Sequence, residues 1–321
     1  MNTTTTRADL GAPETKTPRI LYHVTAFLVV AVWGSTFVFT KLLLLDGFSP
    51  AQIFMLRFLM AYVLLLVFCL FRGIRWKADN WKDELLMVGL GITGGSLYFL
   101  AENEAMNHTT TTNTSMIVCL CPLFASALIA LFYKSQRLNS TQILGTLIAA
   151  AGLAVVVLNG RFVLHLSPVG DSLAFVACLC WAVYSLLLIP ANAKYDTLFV
   201  TRKVFFYGLV SMTPYFIVRP GLNTHLLLEQ PSLLWNLLFL GCVASFLCYL
   251  IWNWVIKKLG AVMATNYVYF NPVTTILFAW LVLSEPITVY FIFGTVLILV
   301  GMILSDCRQH QELENELECK E

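Results

Sequence analysis

The chain has 321 residues, of which 59% are apolar and only 12% charged, against about 45–50% and roughly 25% in soluble proteins. Twenty Lys and Arg with eighteen Asp and Glu cannot cover the surface of a soluble protein this long, and a net charge of +2 gives no hold on a polyanion. The composition therefore excludes a soluble enzyme, a disordered regulator and a nucleic-acid binder. It predicts an all-α membrane protein of many spans, because each span takes about 20 apolar residues.

Residues 1–19 are polar and rich in Thr and Pro, and read as a disordered cytoplasmic N-terminus. The first apolar run, 20–45, is too long for a signal-peptide core and reads as a retained helix. Further runs follow at 50–71, 85–106, 112–132, 141–158, 168–189, 198–218, 233–255, 261–283 and 287–305. Breakers separate them, among them Pro50, Asn139–Ser140, Asn159–Gly160, Pro190, Pro220–Gly221, Gly260 and Pro286. That makes ten helices, with a solvated tail over 306–321.

Basic residues set the orientation. With a cytoplasmic N-terminus, sixteen Lys and Arg fall inside, and only Arg161 and Arg219 outside, while Lys41 and Arg57 lie within spans. Both termini are thus expected in the cytoplasm and the protein in the cell (inner) membrane.

Spacings recur about 150 residues apart. Ala26-Phe27 and Trp33 return as Ala174-Phe175 and Trp181. Leu90-Gly91, Leu100 and Asn103 match Leu240-Gly241, Leu250 and Asn253. Pro122 matches Pro272, and Gly145 with Gly152 matches Gly294 with Gly301. The chain reads as a duplicated five-helix unit, 20–158 and 168–305. An odd helix count inverts the second copy in the membrane, a pattern typical of secondary transporters built around one central site.

These residues also carry a family resemblance. Trp33-Gly34-Ser35-Thr36-Phe37, the Arg57-Phe58 pair after Pro50, and the stretch from Ala105 to Pro122 resemble the first half of an EamA-type permease of the drug/metabolite transporter superfamily. Gly170-Asp171, Trp181-Ala182-x-Tyr184, Pro272, Ser284-Glu285 and Gly294 to Gly301 resemble the second half. The resemblance implies a ten-helix carrier of small polar metabolites, often amino acids and often exported. One departure stands out. Where the family ends its fourth helix with Gly-Glu, this chain reads Lys134-Ser135-Gln136-Arg137, so the carboxylate persists only as Glu285.

Four ionisable residues fall within the expected spans, Lys41, Arg57, Glu102 and Glu104, all in the outer half. Such groups are costly in a bilayer and are candidates for function. Lys41 and Glu104 can also snorkel to the interface, and Arg57 with Glu102 can form a structural pair. The expectation is that Glu102 gates or couples transport with Lys41 or Arg57 as partner, and Glu285 joins this coupling set. The expected cavity takes Trp33, Ser35, Tyr98, Glu102, Asn103, Trp181, Tyr184, Tyr249, Asn253, Asn266 and Tyr267, polar and aromatic residues at helical spacing. Each also has a plain alternative: aromatics pack or face lipid, and an amide can bond a neighbouring helix. Gly94-Gly95 is expected to weaken the turn above Tyr98 and to allow a bend there.

No cofactor or metal is expected, since Cys119-x-Cys121 and Cys178-x-Cys180 lack nearby His ligands and the usual metal spacing. No nucleotide-binding loop is present, so the energy source is left between a proton gradient and exchange for a counter-substrate. No metalloprotease helix, serine elbow or pair of intramembrane aspartates suggests an enzyme. A channel-like facilitator and a non-transporting scaffold or sensor remain the alternatives to a secondary transporter of a small metabolite.

Overall fold

The structure is a computed structural model and describes residues 19–109, 111–133, 140–158, 167–218, 221, 230–283, 289–290, 292–301 and 303–304. Every regular element among them is helical, and ten helices result. They are α1 (Arg19–Leu45), α2 (Pro50–Phe71), α3 (Trp81–His108), α4 (Thr111–Val118 continued by Cys121–Phe132) and α5 (Ser140–Leu158). The second half supplies α6 (Pro168–Lys194), α7 (Thr197–Val218), α8 (Pro231–Leu259), α9 (Ala261–Asn266 continued to Asn271–Leu283) and α10 (Ile292–Gly301). Five of them, α1, α2, α3, α6 and α8, are each long and apolar enough to cross a membrane. This is a multi-pass membrane protein.

Local chemistry starts the helices where the chain must enter the apolar layer. Ser49 and Gln52 close a reciprocal capping box ahead of α2, with Pro50 in its first turn. The Asn80 side chain accepts from the Asp83 amide at 2.9 Å to start α3, and Ser167 caps α6 in front of Pro168. Pro190 corrects the expected end of the sixth span. It lies inside α6, which runs on to Lys194. A proline is tolerated inside a membrane helix where neighbouring helices accommodate it, and Leu188 and Ala191 near it are fully buried.

The duplication is visible in the irregularities as well as in the regular parts. A π-helical turn interrupts α3 at Ile92–Ser96, and another interrupts α8 at Phe239–Leu247, around the matched Leu90-Gly91 and Leu240-Gly241 positions. α4 breaks at Cys119 and Leu120 just before Pro122, and α9 tightens to a 3₁₀ turn at Tyr267–Phe270 just before Pro272. Such turns release backbone groups from the regular ladder and cluster at functional positions.

The core sits between the halves. α3 packs on α6 and α7, α2 on the π turn of α8, and α1 on α8 and α9. At the periphery, α5 meets α10 through glycines: a methyl on Gly152 would lie 2.7 Å from the Gly294 carbonyl oxygen, and one on Gly301 would lie 2.5 Å from that of Gly145. Matched glycines thus meet crosswise on antiparallel helices, the contact an inverted repeat produces about its two-fold axis. Without side chains the backbones approach closely and gain dispersion contact that lipid cannot offer. Gly152→Val is expected to separate α5 from α10 and to lower the thermal midpoint of the solubilised protein. An unchanged midpoint would show that the glycine contact contributes nothing.

Candidate functional site

A cavity lies at the meeting of the two halves. Trp33, Thr36 and Phe37 of α1, Arg57 of α2, and Tyr98, Phe99 and Glu102 of α3 form one wall. Val118 and Cys121 of α4, Trp181 of α6, Tyr249 of α8, and Val268 and Asn271 of α9 complete it. The space among these side chains is a narrow gap of about 30 Å³, room for a water or two rather than an open chamber.

Aromatic rings build most of the wall. Trp33 meets Trp181 edge to face with centroids 5.4 Å apart and planes at 89°. These two are counterparts in the repeat, and so are Phe99 and Tyr249, whose rings lie 6.3 Å apart. Counterparts touch one another only at the two-fold axis, so the cavity lies on that axis. Tyr98 packs on Trp181 at 5.1 Å and Trp33 on Trp252 at 5.0 Å, both in a tilted geometry. The Trp33 indole donates to the Ala244 carbonyl at 2.9 Å, which fixes its ring against the α8 π turn.

Two buried ionisable side chains, Arg57 and Glu102, stand in this aromatic setting. The Arg57 Nε donates to Ser245 Oγ at 2.8 Å, and its guanidinium lies 4.5 Å from the Phe99 ring centroid, a cation–π contact. The Tyr98 hydroxyl donates to Glu102 Oε1 at 2.8 Å. Arg57 and Glu102 line the same cavity. Two polar wall atoms lack a hydrogen-bond partner among the described residues: the Trp181 indole Nε1, a donor, and Asn271 Oδ1, an acceptor. Buried polar groups are normally satisfied, so these two offer sites to a ligand.

Of the residues expected from the sequence, Trp33, Arg57, Tyr98, Glu102, Trp181 and Tyr249 do meet at this cavity. Others stand behind it or away from it. Ser35 is buried and bonds back to the Val32 carbonyl. Tyr184 donates to Asn253 Oδ1 at 2.7 Å, and Asn253 Nδ2 donates to Thr201 at 2.8 Å, a buried brace between α6, α7 and α8. Asn103 donates to the Pro50 carbonyl at 3.4 Å and ties α3 to the start of α2. Asn266 is buried in the first part of α9, and Tyr267 shares a 2.6 Å hydrogen bond with His23 of α1. Lys41 donates to the Met106 carbonyl at 2.6 Å, so the direct hydrogen-bond partner of Glu102 is Tyr98 rather than Lys41. Glu104 pairs with His108 at an exposed position. Glu285 lies outside the described residues.

Phe37, Phe99, Val118, Cys121 and Val268 are walls that sequence reasoning did not single out. Apolar residues in apolar spans carry no polar signal, although Phe99 could have been found as the repeat counterpart of Tyr249. The near-central Gly94 serves the site indirectly. Its carbonyl accepts from the Tyr249 hydroxyl, and its bare Cα admits the Tyr184 ring, which a methyl would approach to 2.2 Å.

A duplicated helical bundle with a polar-aromatic cavity on its internal axis is the architecture of a membrane transporter. A profile of the EamA-like transporter family matches residues 20–158 and 168–305. The chain belongs to that family, within the drug/metabolite transporter superfamily. It is 26% identical over 293 residues to an "Uncharacterized transporter" of Archaeoglobus fulgidus, covering 90% of this chain and 98% of that one. It is 25% identical to the "Probable terminal-alkyne amino-acid exporter" of Streptantibioticus cattleyicolor (88% of this chain, 92% of the relative). It is also 25% identical to the "Probable amino-acid metabolite efflux pump" of Escherichia coli K12 (88% and 93%). A solved crystal structure shares the fold at a TM-score of 0.70 and 18% identity, covering 91% of this chain and 97% of that one.

Proposed function

We propose that this transporter carries a small zwitterionic metabolite, an amino acid or a close relative, by alternating access, in the direction of export across the cell membrane with both termini in the cytoplasm. The observation that carries this reading is the presence of one guanidinium and one carboxyl group in the wall of the same aromatic cavity on the repeat axis. Arg57 suits a substrate carboxylate through its forked donors, Glu102 suits an ammonium, and the Trp and Tyr faces suit both a cation and an apolar side chain. Two relatives whose names refer to amino-acid export support the same substrate class. The narrowness of the gap favours a carrier that closes around its cargo over a standing pore. Glu102 is the coupling group, bound either to a proton or to the counter-substrate in the return step.

The unpartnered Trp181 indole gives a specific test. Trp181→Phe keeps a ring while deleting the donor. It is expected to raise the KM for the transported amino acid by up to about tenfold, the value of one hydrogen bond, with little change in thermal midpoint. An unchanged KM would remove Trp181 from the substrate site.

A further inference from the structure

At the end of the bundle where α2 passes to α3, the two halves are joined by charge. Asp83 takes Lys194, and Tyr195 donates to the same carboxylate at 2.5 Å. Glu84 takes both Lys203 and Tyr207. Asp79 lies 3.4 Å from Lys194 and 2.6 Å from Arg75, and its amide donates to the Tyr195 hydroxyl at 3.0 Å. Desolvation pushes the Asp79 carboxyl up, but hydrogen bonds from Lys194 and Arg75 more than offset it and hold the carboxyl below its usual range. Every acid here comes from the first half, and Lys194, Lys203, Tyr195 and Tyr207 from the second.

The repeat supplies an internal control at the other end. α2 and α7 are both 22 residues long, so aligning their first residues sets Leu56 against Lys203 and Met60 against Tyr207. Aligning Leu90-Gly91 with Leu240-Gly241 sets Leu233 against Asp83 and Leu234 against Glu84. The packing agrees: a methyl on Gly91 would lie 2.5 Å from Tyr207 Cβ, and one on Gly241 would lie 2.3 Å from Met60 Cε. At this opposite end Leu43, Phe48, Ile53, Leu233, Leu237 and Leu240 form a separate buried cluster, with Leu56 and Met60 packed on it. The same seam is ionic in one copy and apolar in the other.

We propose that Asp83–Lys194 and Glu84–Lys203, with Tyr195 and Tyr207, are a salt-sensitive latch that closes one face of the carrier, while the equivalent seam closes the opposite face by apolar packing. Partly exposed ion pairs gain little on closure and are screened by salt. Apolar contact is not screened, and its strength follows the area withdrawn from water. Ionic conditions at the charged face therefore bias the equilibrium between the two access states, and the proposed orientation puts that face in the cytoplasm. The latch rests on the two-state cycle proposed above, but it is read out without any substrate.

The test is amide hydrogen exchange of the full chain in phosphatidylcholine nanodiscs at about 0.05 M and about 1 M KCl, which moves the screening length from more than 10 Å to about 3 Å. High salt is expected to speed exchange over residues 79–86 and 192–204 by about threefold or more, and to leave 43–56 and 232–240 unchanged. Glu84→Gln should give the fast rate already at low salt, and the swap Glu84→Lys with Lys203→Glu should restore the slow one. Equal salt response at both ends would overturn the latch, and so would a swap that stays as fast as Glu84→Gln. Loss of the transport reading would instead show in flux assays and leave this exchange pattern in place.

Discussion

Glu102→Gln is expected to reduce substrate exchange across the bilayer by about 10- to 100-fold, the worth of a hydrogen bond to a charged group. The substitution keeps the shape of the side chain and an oxygen to accept from Tyr98, so the packing around the 7% exposed residue persists. What it removes is the ionisable carboxyl group that lines the cavity with Arg57. Burying a carboxylate is costly, so the thermal midpoint of the variant should be equal to or above that of the parent. Reduced transport without reduced stability separates a working carboxylate from a structural one. If Glu102→Gln exchanges substrate at the parental rate with the same pH dependence, the carboxylate has no coupling role.

The second large effect is expected at Gly34. Here α1 meets α9 so closely that a methyl would lie 1.7 Å from Thr274 Oγ1 and 2.6 Å from the Asn271 carbonyl oxygen. Neither neighbour can yield easily. Thr274 is held by its own 2.9 Å bond to that carbonyl, and Thr275 donates to the Gly34 carbonyl at 2.8 Å. Moving the Asn271 backbone would also move a cavity wall. Gly34→Ala should therefore destabilise the protein by about 1–3 kcal/mol or more, the range for overpacking, and should impair transport as well. Adding Thr274→Ala removes the nearest atom but not the backbone oxygen, so it should restore only part of the stability. A Gly34→Ala protein with a parental thermal midpoint would contradict this packing.

Much of this architecture is legible in the sequence, because a membrane fixes the length of each apolar run and a duplication repeats its spacing. The matched Trp33 and Trp181 mark the duplication in the sequence, and Arg57 and Glu102 stand out because charge is rare in spans. Other features depend on distance across the fold. Asn253 and Tyr184 look like cavity residues in isolation, yet they satisfy one another behind the wall. Asp83 and Lys194 stand 111 residues apart in the chain, and each reads as an ordinary charged residue at a helix end until the halves are brought together. Pro190 reads as a stop by local propensity alone, whereas packing against neighbouring helices carries α6 through it to Lys194.

Counterflow in sealed proteoliposomes tests the central claim most directly. Vesicles loaded with unlabelled amino acid and diluted into a trace of the labelled form should accumulate label above its equilibrium level, and panels of amino acids should rank by their fit to the Arg57–Glu102 cavity. The account predicts saturable, transient accumulation that Glu102→Gln strongly reduces. Label that only equilibrates, in proportion to its concentration and equally in the variant, would contradict it.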